Sequence, residues 1–160
     1  MSTGWSEETT LPRRTARPAP TPEAHRWPPP QVDPSAHRAI RAELAGLRIE
    51  VPGVRGCVLG GVDGLLITHD LGPDIEPYDL AALAATTCGI GRQVGSRLGQ
   101  GGFRETTTRN QHGYLSVYAV NGHALLAVVG DDAVNVARLH LYAPAVAARL
   151  AALLDGDTDR

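Results

Sequence analysis

The spacing of hydrophobic positions changes several times along the chain. From Ser35 onward Ile40, Leu44 and Leu47 recur every three or four residues, the period of one helix face, and Asp33 or Ser35 stands where an N-cap belongs. Pro52 and Gly53 end that helix. Two β-prone runs follow, residues 55–61 and 65–70, joined by Val62-Asp63-Gly64. Asp-Gly supplies the positive φ of a tight hairpin. Pro77 then opens a long helical stretch to about Leu98, and Gly99-Gln100-Gly101-Gly102 stops it. Three more β segments cover residues 103–109, 114–120 and 124–130, with Asn110-Gln111-His112-Gly113 and Asn121-Gly122 as hairpin turns. A last helix spans about Asn135 to Leu154, and Pro144 inside it predicts a kink, because its ring removes a donor and crowds the preceding turn.

The order is helix, two strands, helix, three strands, helix. Every link between consecutive strands within a group is short, so the fold class is α+β with a five-stranded antiparallel sheet and the middle helix as its only crossover. Residues 1–34 hold eight of the twelve prolines, including Pro28-Pro29-Pro30, with apolar residues scattered without period. Such a segment buries too little surface to offset its ordering entropy and is expected to be a disordered tail; a polyproline docking element around Trp27 is the alternative. The folded domain is then 35–154, with a flexible end at 155–160.

Composition narrows the chemistry. Apolar residues make up 42% and aromatics only 4%, so the core rests on Leu, Val, Ile and Ala. A net charge of −2, from 15 basic and 17 acidic residues, gives no general pull toward nucleic acid or anionic membrane. No apolar run reaches the roughly 18 residues of a membrane span, and the N-terminus lacks the apolar centre of a signal peptide, so a cytoplasmic location is expected. Cys57 and Cys88 are far apart and fit no metal or redox spacing.

The glycine-rich stretch around Gly60, Gly61 and Gly64 resembles a phosphate cradle in composition only. Such a cradle lies between a strand and a helix N-terminus, whereas these glycines lie between two strands and read as turn and bulge residues. Gly99 to Gly102 follow a helix, again the wrong place. His69, His112, His123 and His140 make no metal spacing, and Asp131-Asp132 reads as a cap for the final helix. Ser96 and Ser116 have no nucleophile motif around them. The sequence therefore offers no catalytic residues, no metal site and no cofactor site.

The middle helix carries two adjacent stripes. Leu80, Leu83, Ile90, Val94 and Leu98 suit a face lying on a sheet, and one position further on run Ala81, Ala84, Cys88, Gly91 and Gly95, all small. Gly89, Gly91 and Gly95 inside a helix cost about 3 kcal/mol together, which calls for an offset. A second backbone approaching Ala84, Cys88, Gly91 and Gly95 would supply it; a loop of the same chain lying over them is the alternative. The next strand, with Arg104, Glu105, Thr106, Thr107 and Thr108, is polar on both faces and belongs at a sheet edge. Antiparallel pairing with its own copy would set an arginine of one chain near Glu105 of the other. Helix and strand together would form one two-fold interface of about 1,600 Å².

Val51-Pro52-Gly53-Val54-Arg55-Gly56, Asp63-Gly64-Leu65-Leu66-Ile67, the Ala-rich helix with Gly91-Arg92, and Gly113-Tyr114-Leu115 resemble the roadblock/dynein light chain family, closest to the actinobacterial branch whose genes sit beside a sensor kinase and a small Ras-like GTPase. The resemblance covers about residues 35–154. It implies one long helix on one face of the sheet, the terminal helices on the other, and a homodimer whose edge strands join and whose paired middle helices form a platform. Family members bind small GTPases there or act as scaffolds. The implied function is a noncatalytic homodimeric regulator of a small Ras-like GTPase, with a sensor histidine kinase as a further expected partner. Thr86, Gln93 and Arg97, pointing away from the large apolar stripe, are the expected partner contacts. Arg92 and Arg97 read as solvated residues rather than as an arginine finger. A small-molecule sensing module and a pure scaffold for a sensor kinase, docked through the tail, are the alternatives. The third strand is more polar than the family's usual one, and the proline-rich tail is extra.

Overall fold

The computed structural model describes residues 33–158. The expected tail, apart from Asp33 and Pro34, and the last two residues lie outside the described residues. Helix α1 (Pro34–Glu50) starts where Asp33 accepts the Ser35 backbone N–H at 2.7 Å, with Pro34 in the first turn. Strands β1 (Val54–Gly61) and β2 (Leu66–Asp70) follow. Between them Gly64 takes φ +86°, and the Asp63 carboxylate accepts the Leu65 N–H at 3.1 Å. Helix α2 (Pro77–Leu98) begins as the Glu76 carboxylate accepts the Tyr78 N–H at 3.4 Å. It ends at Gly99 in the left-handed region, φ +66°, where the Gln100 N–H reaches back to the Gly95 carbonyl at 2.8 Å. This is the glycine stop that the sequence announces.

Strands β3 (Glu105–Asn110), β4 (Gly113–Ala119) and β5 (Ala124–Gly130) form a meander, and α3 (Val136–Thr158) closes the chain one turn beyond the expected Leu154. Pro144 is accommodated inside α3. The cap of α3 differs from expectation. Asn135, not the Asp131-Asp132 pair, accepts a first-turn N–H, that of Arg138 at 2.9 Å. Asp131 instead accepts the Ala133 N–H at 2.9 Å, inside the preceding turn, because its side chain reaches only two residues on.

The sheet order is β2-β1-β5-β4-β3, antiparallel throughout. Helix α2 therefore connects one edge strand to the other and must cross the whole sheet. It covers one face over Val58, Val117, Leu125 and Ala127. Helices α1 and α3 cover the other over Cys57, Leu59, Leu126 and Val128. The central strands β1 and β5 are buried on both sides, which is why 124–130 reads as an unbroken apolar run rather than an alternating one.

Candidate protein-interaction surface

Successive residues on α2 turn by about 100°, so its two stripes face directions roughly a quarter-turn apart. The structure assigns them the opposite way from the sequence reading. Ala81, Ala84, Cys88 and Gly95 are buried against the chain's own sheet and loops, joined by Leu80. The reason is close approach. A Cβ on Gly60 of β1 would stand 3.2 Å from the Ala81 methyl, so helix and sheet meet without room for a larger side chain. A Cβ on Gly91 would strike the Phe103 ring, and one on Gly95 would meet the Gly101 carbonyl oxygen at 2.5 Å. The small stripe fits beneath the 99–103 loop and the sheet of its own chain, so its size gives no argument for a second copy.

The large stripe is what remains outside. Leu83, Ile90, Val94 and Leu98 are 56%, 61%, 47% and 66% exposed. They project sideways from α2 toward β3, not down onto the sheet as expected. An open groove of about 490 Å³ is lined by Ile90, Gly91, Val94 and Gly95 of α2 and by Phe103, Thr106 and Thr108; Leu83 and Leu98 are not part of its lining.

Strand β3 lies at the sheet edge, as its polarity requires, with one side paired to β4. Glu105, Thr108 and Arg109 are exposed, Thr106 and Thr107 half-buried, and Arg104 just before the strand is exposed. On the α3 side a polar network that the sequence did not suggest ties this edge down. The Thr107 hydroxyl lies 2.8 Å from the buried Ser116 hydroxyl and 3.3 Å from His140 Nε2. His140 Nδ1 lies 3.0 Å from the Tyr118 hydroxyl and 3.2 Å from the Glu105 carboxylate. Tyr118, Ser116 and His140 are far apart in sequence, and only the alternation of Ser116 and Tyr118 on one β4 face hints at the cluster.

Thr86, Gln93 and Arg97 are all exposed, and their positions fall within an arc of about 40° on the outer side of α2, away from the sheet. The Thr86 hydroxyl donates back to the Ala82 carbonyl at 2.9 Å, so Gln93 and Arg97 are the freer polar groups of the three. His112 and His123 sit in separate turns, and no group of three or more His, Cys, Asp or Glu side chains among the described residues could hold a metal ion. Burial pushes the Cys57 thiol up to about 12, with the nearby Asp70 adding to it, so at neutral pH it is a protonated, apolar core group. Burial likewise raises the Tyr118 hydroxyl. No helix among the described residues is long and apolar enough to cross a membrane.

Three helices on a five-stranded antiparallel sheet, with one lone helix crossing from edge to edge, define the class. The Roadblock/LC7 domain matches residues 41–130, more than half of the chain, and the protein belongs to that family. It is similar to the Roadblock/LC7 domain from Streptomyces avermitilis, at 27% identity and a TM-score of 0.66 over 71% of this chain and 95% of that one. The gliding protein MglB from Thermus thermophilus shares the fold, with a TM-score of 0.70 at 23% identity over 76% and 93% of the two chains. An MglB in tetrameric arrangement shares it equally, at 21% identity over 77% and 93%. Among curated sequences, an uncharacterized protein of Methanocaldococcus jannaschii is 26% identical over 101 residues, 63% of this chain and 85% of that one.

Proposed function

We propose that this protein is a noncatalytic regulator: a homodimer, formed through the flank of α2 and the free edge of β3, that binds a small Ras-like GTPase on the outer side of the paired α2 helices and modulates its nucleotide cycle in the cytoplasm. One observation carries the reading. Four exposed large apolar side chains share one flank of α2, and two of them, Ile90 and Val94, line a groove beside a strand with one unpaired edge. Isolated apolar residues on a surface need no explanation, but a continuous stripe of four beside an open ladder is a surface made to be covered. A two-fold partner covers both at once, since each copy offers an apolar helix flank and a strand edge. Membership of the Roadblock/LC7 family supports the regulatory role, and the tetrameric arrangement of one MglB supports association of this fold with itself.

Dimerisation by this route would leave Thr86, Gln93 and Arg97 facing outward, two sets on one platform. The proposal is tested by light scattering coupled to size exclusion, with the full chain alone and mixed with a small Ras-like GTPase loaded with GTP. The expected results are a mass of twice the chain, co-elution with the GTPase and a changed rate of GTP hydrolysis or nucleotide release. A Gln93→Ala, Arg97→Ala variant should keep the dimer and weaken GTPase binding. Wild-type binding by that variant would remove both residues from the contact, and a monomer at high concentration would remove the dimer.

A further inference from the structure

Strand β3 distributes its side chains in a way that constrains how two copies can meet. Glu105 and Thr107 reach His140, so they face α3. Arg109 shares that face by the two-residue period and lies over the Tyr114 ring at 5.6 Å, where Tyr114 packs against the α1–α3 cluster. Thr106 and Thr108 face the α2 groove. Two protomers that place both α2 helices on one side of a joined sheet must pair residues that share a face, which excludes every register that sets an odd residue opposite an even one.

Few registers remain. Centred on Thr107, Glu105 of each copy lies opposite Arg109 of the other, and a five-residue ladder forms with two opposite-charge pairs. Centred on Thr106, Glu105 meets Thr107; centred on Thr108, Thr107 meets Arg109, and neither makes a charge pair. Centred on Glu105 or Arg109, like charges face each other, which opposes pairing. We infer that Glu105 and Arg109 lock two copies of this chain in the single register about Thr107, through reciprocal carboxylate–guanidinium pairs across the joined β3 edges. His140, already 3.2 Å from Glu105, holds that carboxylate from the inner side, so the charge is positioned before a partner arrives. The inference rests on the dimer proposed above and adds its register and its selectivity for self.

Charge reversal tests it on the full chain by sedimentation equilibrium. Glu105→Arg places two arginines opposite two arginines, and Arg109→Glu places four carboxylates together; each variant should dimerise about tenfold more weakly than wild type. Mixed in equal amounts they should recover a heterodimer of near wild-type affinity, because both pairs are complementary again. The Glu105→Arg, Arg109→Glu double variant should likewise recover the homodimer. Recovery in the mixture also shows that each single variant is folded. Two single variants that dimerise as tightly as wild type, or a mixture that shows no preference for the heterodimer, would overturn the register while leaving the α2-mediated dimer standing. A monomeric wild type would overturn both.

Discussion

The two flanks of α2 are built from different materials for different distances. The inner flank, Ala81, Ala84, Cys88, Gly91 and Gly95, meets a sheet and a loop that leave no room for a larger group. The lateral flank, Leu83, Ile90, Val94 and Leu98, is only partly covered by its own chain and stays about half or more exposed. Hydrophobicity alone ranks these flanks in the wrong order for burial. What decides is the separation between the helix and whatever it faces: small residues mark where a neighbour is near, and large ones fill space where the neighbour stands further off.

That contrast can be broken most severely at the lateral flank. Ile90→Arg with Val94→Arg should leave the circular dichroism of the folded chain unchanged, because both positions face outward in the single chain. It should raise the dimer dissociation constant at least about hundredfold, since charges would be buried without partners at the joint. Sedimentation velocity across a concentration series reads this directly, and an intact dimer would move the interface elsewhere.

The inner flank should respond in stability instead. In the monomeric background of that double variant, Ala84→Leu should lower the unfolding free energy by about 1–3 kcal/mol in urea, as overpacking. Two glycines sharpen the point by sign. Gly95→Ala should destabilise despite the better helix former, because its methyl meets the Gly101 carbonyl oxygen. Gly89→Ala, with nothing within 4 Å of the added methyl, should stabilise by up to about 1 kcal/mol. Equal signs would mean that the 99–103 loop does not press on α2.

Thiol labelling separates the flanks next. Cys88, 2% exposed, should react slowly in dimer and monomer alike, whereas a cysteine introduced by Ile90→Cys should react fast in a monomer and slowly once the flank is covered. The smallest effect should come from Leu83→Ala in the monomeric background, under about 0.5 kcal/mol in urea, because an exposed side chain has little packing to lose.

The element order, the hairpin at Asp63-Gly64, the stop at Gly99, the full extent of β5 and the edge position of β3 were all legible in the sequence. Each follows from a local rule: a turn residue with positive φ, a helix cap, a strand without an apolar face. The assignment of the α2 stripes was not legible, and neither was the Thr107–Ser116–Tyr118–His140–Glu105 network. Both depend on which residues distant in the chain come close. Gly60 lies against Ala81 because β1 is central, and His140 reaches β3 because α3 crosses the neighbouring strand β4. Thr86, Gln93 and Arg97 are exposed because they lie opposite the small stripe; by helical phase Arg97 is only about 20° from Ile90, so their outward placement depended on which stripe packs on the sheet.

Periodicity and turn chemistry act over a few residues, so the chain by itself determined its elements, their caps and the polar character of β3. Which flank of α2 is buried was decided only in three dimensions. It depends on the gap between helix and sheet, which Gly60 and the 99–103 loop fix from outside the helix; the small stripe within residues 77–98 signals a close neighbour but not which one it is.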